Sequence, residues 1–214
     1  NIMKLAIRNL GRRIEKQWLW RNLDFEIFEN TVLAVEGPTG AGKTMLLRCL
    51  AFLDLADEGS IIADDKPVLD WNPPLYRSKV MLVPQKPFFS QTTVEEELKG
   101  PFLFSSHHNK SYSRSLMLRW LSQLQREEDF LSKRVENLSG GERQLLACLR
   151  ALALDPDILI LDEPTASLDP KGAKMLMELV LNWLQEKQRS LIFTSHRSKE
   201  RMSYSNTTLS LVKS

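Results

Sequence analysis

The stretch Thr31-Val32-Leu33-Ala34-Val35-Glu36-Gly37-Pro38-Thr39-Gly40-Ala41-Gly42-Lys43-Thr44-Met45-Leu46-Leu47 changes its pattern in the middle. Residues 31–35 are a short, partly β-branched apolar run, the profile of a strand covered on both faces. Three glycines and a proline then break it, and residues 45–55 resume as an apolar helix. Strand, glycine turn and helix in that order begin a βα unit, and the same alternation recurs further on. Residues 79–83 and 158–161 read as strands, residues 140–154 as a helix with Leu145, Leu146, Leu149 and Leu152 on its apolar face, and residues 171–188 as an amphipathic helix. Residues 190–194 and 207–212 close the chain as strands. Such an order predicts an α/β fold with a mostly parallel sheet and crossover helices.

Two regions depart from that alternation. Residues 3–10 and 19–28 read as strands of period two, with Leu23, Phe25 and Ile27 on one side and Asp24 and Glu26 on the other. Residues 60–62 add a further strand, and Trp71-Asn72-Pro73-Pro74 reads as a loop from its two prolines. Residues 92–135 form a helical insert. Thr92-Thr93-Val94-Glu95-Glu96 offers a Thr-x-x-Glu capping box, and Leu116, Met117, Trp120, Leu121 and Leu124 share one helical face. Residues 105–113 within the insert read as a polar loop.

Composition excludes several classes of function. With 43% apolar and 26% charged residues in 214, the chain can build a core and is not globally disordered. Lys and Arg (29) nearly balance Asp and Glu (27), for a net charge of +2, so no nucleic-acid partner is expected. The basic stretch Lys4, Arg8, Arg12, Arg13, Lys16 and Arg21 reads as a solvated strand face. Cys49 and Cys148 lie in apolar helical runs, no zinc spacing is present, and a reducing compartment is expected. No run approaches the roughly 18–20 apolar residues of a membrane span, and no secretory leader is read.

Three motifs carry chemistry. Gly37-Pro38-Thr39-Gly40-Ala41-Gly42-Lys43-Thr44 fits G-x-x-x-x-G-K-[ST] between a strand and a helix, as phosphate binding needs. Backbone amides of the glycine turn and the helix N-terminus can face phosphate oxygens, Lys43 can reach the β- and γ-phosphates, and Thr44 can ligate Mg²⁺. Ile158-Leu159-Ile160-Leu161-Asp162-Glu163-Pro164 brings two carboxylates to a strand end, with Asp162 as a metal ligand and Glu163 as general base toward water. In Leu138-Ser139-Gly140-Gly141-Glu142, Ser139 and Glu142 form a capping box. Capping alone has no use for the two glycines, which would let an outside phosphate approach the helix start.

In this order the motifs resemble those of ATP-binding cassette (ABC) ATPases, the nucleotide-binding subunits of ABC transporters, and the resemblance spans residues 5–212. It implies a P-loop NTPase core, an N-terminal antiparallel β subdomain and an inserted α-helical subdomain. The whole of residues 1–214 would then be one ATP-binding domain, with 1–91 and 136–214 as core and 92–135 as the helical part. It also implies ATP and Mg²⁺ as cofactors, and roles for three further residues. Gln85 in Val83-Pro84-Gln85 would touch Mg²⁺ or the lytic water, Asp169 in Ser167-Leu168-Asp169 would belong to the nucleotide site, and His196 would contact the γ-phosphate. Two copies would sandwich ATP head to tail, each nucleotide lying between one P-loop and the partner's Ser139-Gly140-Gly141 turn. The homodimer would dock through the helical insert on a membrane subunit, at the cytoplasmic face of the cell membrane.

The family usually stacks an aromatic residue on adenine upstream of the P-loop. Here that place falls at Arg12, Arg13 or Ile14, none of them aromatic, so base stacking rests on a guanidinium of Arg12 or Arg13 or is weak. Phe102-Leu103-Phe104 packs under the insert or forms part of the docking surface, and His107-His108 reads as solvated loop rather than as a metal site. Pro74-Leu75-Tyr76-Arg77 is similar to small bacterial metal- or iron-export subunits. The alternative is a non-transport ABC ATPase coupled to a soluble assembly or signalling partner. A P-loop kinase would share Lys43 and Thr44 and have no use for residues 139–142.

Overall fold

The computed structural model describes residues 1–107 and 109–212. Two sheets meet around helix α1 (Lys43–Leu50). The first is antiparallel: β1 (Leu5–Ile14) lies between β2 (Gln17–Ile27) and β4 (Glu58–Ala63), and the two-residue β5 (Lys66–Pro67) sits at its edge. The second is parallel throughout and contains β3 (Val32–Glu36), β6 (Val80–Val83), β7 (Ile158–Leu161), β8 (Ser190–Phe193) and β9 (Thr207–Ser210), in the order β6-β7-β8-β3-β9. Five parallel strands need helical crossovers on their faces, and those coverings explain why β7 and β8 are buried at every position.

Alternation along the central strands divides the interior in two. Leu159, Leu161, Leu191 and Phe193 face a core shared with α5 (Gly140–Ala153) and α6 (Pro170–Glu186). Ile158, Ile160, Ile192, Leu33 and Val35 face the other core, where α1 contributes Leu46, Leu47 and Leu50 and the antiparallel sheet contributes Leu5, Ile7 and Trp20. Residues 92–135 carry α3 (Val94–Lys99) and α4 (Arg114–Gln123), joined by short 3₁₀ turns; Val94, Leu98, Met117, Trp120, Leu121 and Leu124 pack into the first core. Of the two Thr-x-x-Glu registers, the helix uses the second: Thr93 caps α3 and Glu96 returns the bond to the Thr93 amide.

Several local readings need correction. The first helix stops at Leu50, because Phe52 turns into the left-handed region (φ 56°) and the Leu53 amide is taken by the Arg48 carbonyl. The prolines at 73 and 74 open a helix, α2 (Pro73–Lys79): Asn72 caps it and Pro73 supplies a first-turn position that needs no N–H. A further helix, α7 (Ser198–Tyr204), follows β8. His107 is buried, not solvated, and burial lowers its pKa; His108 lies outside the described residues, and no cluster of metal-ligating side chains is found among those described. The basic N-terminal stretch is the solvated strand face expected, with none of its six basic residues buried, and on it Arg8, Arg12, Arg13 and Arg21 pair with Glu26, Asp57 or Glu58.

Candidate functional site

The P-loop leaves β3 at the sheet's C-terminal edge and ends at Gly42, the N-cap of α1, in the left-handed region (φ 85°). A side chain there would also collide with the Trp20 indole, whose Nε1 donates to the Gly42 carbonyl at 3.1 Å. The antiparallel sheet thus clamps the start of the helix whose amides face the loop. Lys43 Nζ donates to the carbonyls of Gly37 (2.6 Å) and Pro38 (3.2 Å) and so lies along its own loop.

Strands β7 and β8 bring the other groups to the same edge. Thr44 Oγ1 donates to Asp162 Oδ2 at 2.7 Å, which joins the helix start to the strand end. The buried Thr194 hydroxyl donates to Asp162 Oδ1 (2.8 Å) and accepts the Glu163 amide (2.9 Å). Glu163 adopts a left-handed backbone (φ 50°), sparsely populated for a side-chain-bearing residue. Its Oε2 accepts the His196 amide at 3.1 Å, and its Oε1 lies 3.4 Å from His196 Nε2. Burial pushes the Glu163 carboxyl above its ordinary range, opposed by the His196 amide and reinforced by the charge of Asp162. A carboxylate with a raised pKa is a better proton acceptor than a solvated one. The His196 ring is 66% exposed and free to meet a third group.

Thr39, Gly40, Gly42, Lys43, Thr44, Gln85, Asp162, Glu163 and His196 therefore line one cleft of about 340 Å³. Its mouth carries Ile14 and Leu19. The expected stacking by arginine is not what the structure places there. Arg12 donates to the Leu55 carbonyl and pairs with Asp57, and Arg13 lies over Trp18, so neither lines the cleft. The oxygen donors of Thr44 and Asp162, with the Gln85 amide facing the same space, suit a hard cation of the Mg²⁺ kind, which takes few protein ligands and keeps room for water and phosphate.

Ser139, Gly140, Gly141 and Asp169 do not reach that cleft. They line a second one, of about 440 Å³, together with Ser167, Leu168 and Arg126. Ser139 and Glu142 form a complete capping box on α5. Gly141 has a structural reason within this chain: a Cβ there would come within 3.0 Å of the Ser167 carbonyl and the Leu168 side chain. Asp169 caps α6, accepting the Gly172 amide at 2.7 Å. The loop of residues 163–169 thus begins in one cleft and ends in the other. Sequence reasoning singled out neither Thr194 nor Leu19. Thr194 stands at the end of a central strand beside the two carboxylates, and that position was the available signal.

The comparisons agree with this architecture. The family model described as "ABC transporter" matches residues 20–166, more than half of the chain. EcfA1, an energy-coupling factor transporter ATP-binding protein of Oceanobacillus iheyensis, is 35% identical over 207 residues, covering 92% of this chain and 71% of that protein. FetA of Escherichia coli, whose name points to iron export, is 26% identical over 92% of this chain and 86% of its own length. The methionine import ATP-binding protein MetN of Chlamydia pneumoniae is 29% identical over 90% of this chain and 58% of its own length. In fold, the chain superposes on the ATP-binding cassette MJ0796, solved as a dimer with ADP and Pi, with a TM-score of 0.84 at 24% identity, covering 97% of this chain and 94% of that one. The chain belongs to the ABC transporter family. Within it the chain is an ATP-binding subunit, an ATP hydrolase whose cofactors are ATP and Mg²⁺.

Proposed function

We propose that this chain hydrolyses MgATP in a head-to-tail homodimer and thereby drives a separate membrane subunit of an ABC transporter. The observation that carries the reading is the convergence of Lys43, Thr44, Gln85, Asp162, Glu163 and His196 on one cleft beneath a glycine loop. Lys43 and the backbone N–H groups of the loop from Gly37 to Thr44, those of Thr39 and Ala41 included, hold the β- and γ-phosphates, while Pro38, which has no N–H, shapes the turn. Glu163 takes the proton of the attacking water, and its raised pKa suits that task. His196 and Gln85 contact the γ-phosphate side. Thr44, Asp162 and Gln85 would hold Mg²⁺, which would supply positive charge to offset that of the phosphates.

The second cleft supports the dimer. Ser139, Gly140 and Gly141 are open at the tip of α5, and a second copy's triphosphate would complete the sandwich there, beside Asp169. Docking on the membrane subunit falls to the Gln85 loop and the helical insert, where Phe88, Leu103 and Phe104 are 79%, 89% and 65% exposed. Phe102 instead packs edge-on against Tyr112. Among the described residues no helix is long and apolar enough to cross a membrane; in this reading the spanning part is a partner subunit, and the chain sits at its cytoplasmic face. The relatives' names span energy-coupling factor, methionine and iron transport; similarity to FetA and the Pro74-Leu75-Tyr76-Arg77 segment favour metal or iron efflux.

The test is Glu163→Gln with MgATP. Hydrolysis falls about 10²-fold or more, the mass by light scattering doubles, and tagged chain co-purifies with a membrane protein. A variant that stays monomeric at saturating MgATP, with its membrane partner present, sinks the sandwich. Recovery with soluble partners alone sinks the transport reading.

A further inference from the structure

One buried carboxylate belongs to no part of the mechanism so far. Glu200, in the first turn of α7, is 9% exposed. Its Oε2 accepts two hydroxyls, from Thr165 at 2.8 Å and from Ser195 at 2.6 Å, and its Oε1 lies 3.4 Å from Arg197 Nη1. Thr165 and Ser195 are themselves buried. A buried charge is tolerated only where such partners satisfy it, and these partners come from two different loops. Thr165 follows Glu163 and Pro164 in the loop after β7, whereas Ser195 precedes His196 in the loop after β8.

A second set of bonds runs the same way. Ser195 Oγ also accepts the Arg197 amide at 3.0 Å, and Arg197 Nη2 donates to the Leu168 carbonyl at 2.6 Å. Leu168 in turn lies against Gly141 and lines the second cleft. Thr194, one residue before Ser195, holds Asp162 and the Glu163 amide on the opposite side. The His196 loop is therefore fastened to the 163–169 loop at both ends, by Thr194 at the sheet edge and by Glu200 with Arg197 beneath it.

We propose that Glu200 is a positioning residue for hydrolysis. It locks the loop carrying His196 to the loop carrying Glu163, so that His196 and Glu163 keep their mutual geometry and the Ser167–Leu168 wall of the second cleft moves with them. Glu200 touches neither cleft's reacting groups, and its effect passes through Thr165, Ser195 and Arg197. The inference rests on the hydrolytic roles proposed for Glu163 and His196.

The experiment is steady-state MgATP hydrolysis by Glu200→Ala, Glu200→Gln and Thr165→Val, with Lys43→Ala alongside. A small displacement of reacting groups costs rate more than binding, so Glu200→Ala lowers kcat about tenfold while KM stays within about twofold. Glu200→Gln keeps an oxygen for both hydroxyls and gives up only the 3.4 Å pair with Arg197, so its kcat stays within about threefold of wild type. Should Glu200→Ala fail to fold, Thr165→Val carries the same test: it keeps the volume, removes one donor and lowers kcat about threefold at unchanged KM. Wild-type kcat in Thr165→Val and Glu200→Ala overturns the proposal. So does a rise in KM that accounts for the whole loss, or a Glu200→Gln variant as damaged as Glu200→Ala. Turnover surviving in Lys43→Ala would instead sink the hydrolytic reading itself, which separates the two failures.

Discussion

At the scale of single residues, the mouth of the P-loop cleft poses the sharpest question, because its apolar lining is aliphatic. Ile14 is half exposed there and Leu19 lies beside it, while Arg12 and Arg13 are engaged elsewhere. An aliphatic side chain gives a base some apolar contact and none of the stacking of a ring. Stacking on an aromatic side chain is worth about 1–3 kcal/mol per base. Ile14→Tyr should therefore tighten MgATP binding by about tenfold in titration calorimetry, and Arg12→Ala and Arg13→Ala should leave it within about twofold. Weakened binding in the arginine variants would restore a guanidinium platform. The phosphate end of this cleft was legible in the sequence, because a glycine turn between strand and helix fixes its own geometry through local backbone. The base end was not legible. Which of Arg12, Arg13 and Ile14 faces the cleft depends on the irregular register of β1 against β2, which shifts between Leu10, Arg12 and Arg13, and on Asp57, far away in sequence, drawing Arg12 aside.

At the scale of elements, the same residue types serve as helix caps and as site residues, and Asp169 shows how the two roles separate. Its carboxylate accepts the Gly172 amide at the start of α6, which suffices to explain an aspartate before Pro170. Loss of such a cap costs roughly 0.5–2 kcal/mol, whereas asparagine caps as well as aspartate. Asp169→Ala should lower the urea midpoint accordingly, and Asp169→Asn should keep it. If Asp169→Asn nonetheless slows hydrolysis, the charge has a role at the nucleotide beyond the cap; if both activity and midpoint survive, capping is its whole function. Long periodic elements such as α5 and α6 were readable from apolar spacing. The short ones were not. α2 begins on the Asn72-Pro73-Pro74 sequence that also signals a loop, and α7 has too few apolar positions to show a period. The 105–107 turn reads as polar but buries His107, with α2 and the 100–103 turn beside it, a consequence of tertiary contact that local composition does not carry.

At the scale of the whole molecule, the two long helices of the core are tied together at one acidic side chain, and the helical insert reaches the backbone at the same place. Asp155, just after α5, takes Lys187 at 2.6 Å and Arg189 Nε at 2.8 Å, which binds the end of α5 to the turn after α6. Lys110, within the 105–113 segment of the insert, donates to the carbonyls of Leu154 and Asp155. Arg189 is almost fully buried, stacked on Trp183 with its guanidinium 4.1 Å from the ring. Burial alone would raise the Asp155 pKa, but the hydrogen bonds from Lys187 and Arg189 outweigh it and hold the carboxyl below the ordinary aspartate value. A carboxyl whose pKa is lower in the folded chain than in the unfolded one stabilises the fold fully above the unfolded value, and that contribution disappears as pH falls through the folded one. The unfolded value is about 3.9, so this contribution is intact at neutral pH and declines only below about pH 4. Asp155→Asn should be less stable at pH 7 by on the order of 3 kcal/mol, since it leaves Arg189 buried without a counter-charge. Its melting temperature should also lack the share of the acid decline that Asp155 gives the wild type. Melting curves from pH 7 down to about pH 2.5 test both statements: parallel curves for the two proteins would show that Asp155 contributes nothing to the acid limb. A convergence of the two toward low pH would show that this charge holds the end of α5 to the turn after α6.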